Sequence, residues 1–176
     1  MAATPNETSV VEHEVRVAAR PETVFSYFTD PAKVVRWMGA DATLDPRPGG
    51  ICRIAFQPNQ AAVELLVAAS GGTRSDLSGT GVMSGEFVDV DPHSRIAITW
   101  GWEDERFAVP PQSTAVEVSF TADGDETIVH LAHRRLPTNA APFHQAGWQH
   151  YLNRLVIAAA GEEPGPDPWE DTADGN

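Results

Sequence analysis

The chain of 176 residues contains a single cysteine, Cys52, so it can form neither an internal disulfide nor a cysteine-ligated zinc site. Cys52 sits between Ile51 and Arg53 in a strand-like run, where it reads as a small buried side chain rather than a nucleophile. Basic residues are scarce. Twelve Lys and Arg stand against 25 Asp and Glu, for a formal charge of −13 at pH 7. Such a chain is repelled by nucleic acid and by anionic lipid, which argues against either as a partner and leaves no nucleic acid and no membrane insertion as the expectation. No apolar run approaches the length of about 18 residues that spans a bilayer. The first residues, Met-Ala-Ala-Thr-Pro-Asn-Glu-Thr, have no basic segment followed by an apolar one, so no secretory signal is visible. A cytoplasmic protein is the expectation.

Chemical signatures are also missing. There is no Gly-rich phosphate loop and no Gly-x-Ser-x-Gly elbow. His130 and His133 are three apart on a predicted strand, which puts them on opposite faces. His144 and His150 are six apart on a predicted helix and face different ways. No metal, no cofactor and no catalytic constellation is read from the sequence.

What is present is periodicity. Ser9 to Ala18 alternates, with Val11, His13, Val15 and Val17 on one side, and His13 reads as a structural histidine. Pro21 and Glu22 suit the first turn of a helix that carries Val24, Phe25 and Phe28. A second short helix follows over 32–37, and Thr29 or Asp30 can cap it. Strands are predicted over 42–45 and 51–56, joined by Pro46-Arg47-Pro48-Gly49-Gly50. The stretch from Gln57 to Ser78 reads as an insertion, with 61–69 either strand or short helix.

Four more strands follow, over 79–90, 95–102, 114–121 and 127–135. Trp100 and Trp102 share a face of the second, Phe120 lies on the third, and Val129, Leu131 and His133 share a face of the fourth. The glycines at 79, 81 and 85 suggest kinks and bulges in a bent sheet.

The last predicted helix, about Pro142 to Ala160, has Trp148, Tyr151, Leu152, Leu155, Val156 and Ala159 in one stripe. Asn139 is its expected cap and Gly161 its stop. Gly147 inside it costs roughly 0.5–1 kcal/mol relative to alanine. Close approach of a neighbouring backbone or ring is the expected reason, and it predicts that Gly147→Leu overpacks and destabilises. Residues 161–176 contain six acids and no base, and read as a disordered, solvating tail with Trp169 loose in it. Residues 1–8 are expected to be disordered, and 9–160 to form one domain.

The order β-α-α-β-β-β-β-β-β-α, with short turns, makes an α+β fold: an antiparallel sheet curled round its last helix. Several stretches carry a resemblance. They are Arg20-Pro21-Glu22-Thr23-Val24-Phe25 with Phe28-Thr29-Asp30-Pro31, Arg36-Trp37-Met38-Gly39, Arg47-Pro48-Gly49-Gly50, Asp91-Pro92, Ile98-Thr99-Trp100 and Gly147-Trp148. On these the chain resembles the START-like, helix-grip superfamily, and within it the family named after activators of a heat-shock-protein ATPase.

The resemblance implies a curved seven-stranded antiparallel sheet wrapped round a long C-terminal helix, with two short helices after the first strand and a cavity between sheet and helix. It also implies a small apolar or amphipathic guest: a lipid, a polyketide or an aromatic. Trp37, Met38, Trp100, Trp102, Phe120, His133, Trp148 and Tyr151 are the candidate lining residues. A cyclase or hydrolase using His133 and Tyr151 is an alternative. A chaperone partner follows from the resemblance alone, and a homodimer is left open.

Overall fold

A computed structural model of the chain describes residues 7–70, 79–104 and 108–170. Residues 1–6 and 171–176 of the expected disordered ends, and much of the expected loop over 70–78, lie outside the described residues.

The elements are β1 (Thr8–Val17), α1 (Pro21–Thr29), α2 (Pro31–Val34), β2 (Asp41–Leu44), β3 (Ile51–Phe56), α3 (Gln60–Ser70), β4 (Gly81–Asp91), β5 (Arg95–Trp100), β6 (Thr114–Asp123), β7 (Glu126–Pro137) and α4 (Ala141–Ala159). All seven strands form one antiparallel sheet in the order β1-β7-β6-β5-β4-β3-β2. Period-two alternation gives this sheet one apolar face. Met83, Phe87, Ile96, Ile98, Val116, Val118, Val129 and Leu131 are buried on it. Helix α4 lies against that face and presents His144, Trp148, Leu152 and Leu155, a stripe at helical spacing.

Gly85 shows how closely neighbouring strands meet at the bend. A Cβ there would stand 1.8 Å from the Thr99 carbonyl oxygen, and the β4–β5 register shifts between Phe87 and Asp89.

Local chemistry accounts for most boundaries. Pro21 opens α1, and Asp30 caps α2 by accepting from the Ala32 N–H at 2.9 Å. The ambiguous insertion contains a helix, α3. Asn59 Oδ1 caps it by accepting from the Ala62 N–H at 2.9 Å. Val63 and Leu66 then pack with Phe143 of α4 in a small second core. Asn139 is not the cap of α4: it lies in a 3-10 turn, Thr138–Ala140, and Ala140 precedes the helix with no side-chain cap. Gly161 ends α4 at φ +89°, with Gly161 N–H on Ala158 O and Glu162 N–H on Ile157 O, a Schellman closure.

The chain beyond Gly161 corrects the expectation of a solvated tail. Residues 161–170 fold back along α4 as a strap. Arg154 donates to Gly165 O at 2.9 Å, His150 Nε2 and Asp167 Oδ1 are 2.8 Å apart, and Trp169 stacks on His150 with centroids 3.8 Å apart and planes 7° apart. The strap ends against the segment before α3. The Asn59 N–H donates to Trp169 O at 2.9 Å, and the Gln57 N–H donates to Glu170 Oε2 at 2.6 Å. An acidic composition does not imply a loose chain when the acids have long-range partners. Among the described residues no helix is long and apolar enough to cross a membrane.

Candidate functional site

A cavity lies between the sheet, the N-terminal half of α4, α3 and the strap. Its floor is Met38, Phe56, Trp100, Trp102 and Trp148; Ala62 and Leu66 come from α3; Trp169 and Glu170 come from the strap. The space inside amounts to about 60 Å³, and the cavity is partly open to solvent. Its rings touch one another. Phe56 meets Trp102 and Tyr151, each at 5.6 Å between centroids, and Tyr151 meets Trp169 at 6.0 Å.

Two histidines, His144 in the cavity wall and His133 behind it, tie the indoles in place. His133 Nδ1 accepts from Trp148 Nε1 at 3.1 Å, so its proton is on Nε2, which donates to Thr114 Oγ1 at 2.8 Å. The Thr114 hydroxyl in turn donates to Trp100 O at 2.7 Å. His144 Nε2 accepts from Trp102 Nε1 at 3.3 Å, and its Nδ1–H donates to Ala140 O at 2.8 Å. Burial, and for His133 the neighbouring His144, disfavours the imidazolium. His133 is held well below the ordinary histidine value, and His144 is pushed down to about 4. Both rings are therefore neutral, with their nitrogens occupied.

The ionisable group at the rim is Glu170. Burial pushes its carboxyl up to about 7, against the stabilising Gln57 N–H. It is hydrogen-bonded to the Tyr151 hydroxyl, which burial and the carboxylates of Glu170 and Asp167 hold well above the usual phenol value. Asp167 behaves differently. Burial works to raise it, but hydrogen bonds from His150 and the Trp169 N–H outweigh that and keep it below its usual value. Cys52 is inert: burial pushes its thiol up to about 12. Among the described residues no group of three or more His, Cys, Asp or Glu could hold a metal ion.

Residues 18–160 match the family described as activator of Hsp90 ATPase homolog 1-like protein. The chain belongs to that family. A solution structure of the AHSA1-like protein from Rhizobium etli is similar, with 34% identity, TM-score 0.62, and coverage of 98% of this chain and 94% of that one. DynU16, a protein in the dynemicin biosynthetic locus, shares the fold at 20% identity and TM-score 0.64; the match covers 90% of this chain but 50% of DynU16, so this chain spans about half its length. CalU16 from Micromonospora echinospora shares it at 21% identity and TM-score 0.60, over 88% of this chain and 85% of that one. No curated protein matches the chain.

Within this Hsp90-activator-like fold the eight sequence-predicted residues divide. Met38, Trp100, Trp102, Trp148 and Tyr151 line the cavity. Trp37 does not: it is 1% exposed, meets Phe28 at 5.0 Å and donates to Tyr27 O at 2.8 Å. Phe120 packs against Phe25 and Phe28 of α1. His133 lies below the floor, bound to Trp148 and Thr114, and is not brought together with Tyr151 as an acid–base pair.

The expected close approach at Gly147 is also overturned. A Cβ there would meet nothing within 4 Å, because the residue borders the cavity. Sequence reasoning missed His144, whose signal was its place four residues before Trp148 on the buried stripe, and it missed Phe56, Phe143 and Glu170.

Proposed function

We propose that this chain binds a small apolar or amphipathic molecule in the cavity between sheet, α4 and strap, with Met38, Trp100, Trp102, Trp148 and Tyr151 as contacts. The observation that supports it most is the lining: mostly aromatic and aliphatic, with few polar groups, the usual make-up of a small-molecule site. The two buried histidines are neutral and engaged with Trp148, Thr114, Trp102 and Ala140, which favours holding a guest over moving its protons. One protein of the same fold comes from the dynemicin biosynthetic locus, a setting that suits a lipid-like, polyketide or aromatic guest.

At about 60 Å³ the space is below the roughly 150 Å³ of an engineered cavity that admits benzene. A ring-sized guest therefore needs one wall to yield. The strap is the natural one, since Trp169 and Glu170 meet the rest of the wall through a stack and a few hydrogen bonds.

Thermal-shift screening against fatty acids, aromatic polyketides and flavonoid-like compounds tests the reading. A guest at about 100 times its Kd stabilises by about 2.7 kcal/mol, which raises Tm by roughly 5–10 °C for a chain of this size. The gain should vanish in Gly147→Leu, whose side chain occupies the cavity. A shift that survives Gly147→Leu, or no shift with any compound, would falsify the proposal.

A further inference from the structure

Resting on that cavity reading, we propose that the guest is a hydrophobic cation, an aromatic or alicyclic amine whose ammonium sits between the ring faces of the cavity and the Glu170 carboxylate. Three observations carry this. First, the sign of the wall is one-sided. Among the described residues its titratable side chains are His144, Tyr151 and Glu170, with no lysine or arginine. His144 is engaged as a neutral ring by Trp102 and Ala140, so the formal charge that the described lining residues can carry is negative. Arg154, the base nearby in the strap cluster, donates to Gly165 O at 2.9 Å and lies 3.8 Å from Asp167; its charge reaches Glu170 without an ion pair to it.

Second, the cavity is walled by a run of π-faces. Phe56, Trp102, Phe143, Tyr151 and Trp169 all line it, and successive members are in edge or tilted contact: Phe143 with Trp102 at 6.3 Å, Trp102 with Phe56 at 5.6 Å, Phe56 with Tyr151 at 5.6 Å and Tyr151 with Trp169 at 6.0 Å. The faces of such rings attract an ammonium within about 6 Å and give nothing comparable to an anion. Third, Glu170 lines the same cavity with the Gln57 N–H on Oε2 and the Tyr151 hydroxyl as its hydrogen-bond partners, both neutral donors. A carboxylate set among aromatics, with no basic side chain hydrogen-bonded to it among the described residues, is stabilised in its charged form by a cation brought beside it. The formal charge of −13 over the whole chain further concentrates cations around the cavity.

The experiment titrates the full chain, at mildly alkaline pH, with three matched probes: benzylamine, benzyl alcohol and benzoate. The readout is the shift of the tryptophan indole N–H signals in NMR spectra. The amine should bind about tenfold more tightly than the alcohol, with benzoate weakest. In Glu170→Gln the amine affinity should fall until the gap between amine and alcohol is under about threefold. Equal or tighter binding of the alcohol or of benzoate overturns the cation inference and leaves the cavity reading intact. An amine preference that survives Glu170→Gln overturns the role given to Glu170. Failure of all three probes to move any indole signal, even at millimolar concentration, sinks the cavity reading and this inference together.

Discussion

Gly147→Ala is the sharpest test of the empty space beside α4. The residue lies in mid-helix, where glycine costs roughly 0.5–1 kcal/mol relative to alanine. A methyl group built there meets nothing within 4 Å, so it displaces no neighbour. It also enters an apolar cavity, and one buried carbon contributes about 0.8 kcal/mol. Together these give a gain of about 1–2 kcal/mol, or a rise in Tm of roughly 2–8 °C for a chain of this length. Urea denaturation followed by tryptophan fluorescence measures it, and an unchanged slope shows that the folded and unfolded ensembles are otherwise comparable. Gly147→Leu should be at least as stable as the unmodified chain and should bind no guest. The opposite result, loss of stability in the alanine variant, would show that the space is filled and that the cavity does not exist in solution.

The Trp148–His133 bond can be separated from the ring that makes it. Trp148→Phe keeps an aromatic ring but strands the buried His133 Nδ1, at a cost of about 1–3 kcal/mol, whereas Trp148→Ala should cost about 3–5 kcal/mol; chemical denaturation of both variants checks the order. Stability should also depend on pH with two opposed slopes. His144 and His133 are depressed in the folded state, so their contribution is present above the ordinary histidine value of 6.5 and is lost as pH falls, for His144 towards about 4. Glu170 is raised, so its contribution is present below its ordinary value of 4.5 and is lost as pH rises through about 7. The stability of Glu170→Gln relative to the unmodified chain should therefore improve from pH 5 to pH 8, and a constant difference across that range would refute the buried-carboxyl assignment.

The sheet was legible because alternation and turn chemistry agree along it: Val116, Val118 and Phe120 face inward, and Gly124-Asp125 closes a two-residue hairpin to β7. The cavity was half legible. Trp100, Trp102, Trp148 and Tyr151 announce themselves by spacing, but spacing marks only a face, and His133, Trp37 and Phe120 share inward faces without reaching the cavity. Gly147 was misread because a helical glycine is consistent with either crowding or emptiness, and only the packing around it distinguishes them. The strap was misread for a different reason. Its acids were counted as net charge, while their partners His150, Arg154, Tyr151 and the Gln57 N–H lie far away in the chain. Local composition does not encode pairing at that range.

The family match stops at residue 160, yet the cavity does not. Trp169 and Glu170 lie beyond the matched residues and still form one of its walls. Under the proposed function, selectivity rests partly on a segment that follows the last helix and adds no strand to the sheet. Cutting the chain after Ala160 should leave the sheet and α4 intact while turning a lidded vessel into an open bowl. Exchanging the last ten or so residues between relatives would be a way to change what such a vessel holds without recasting it.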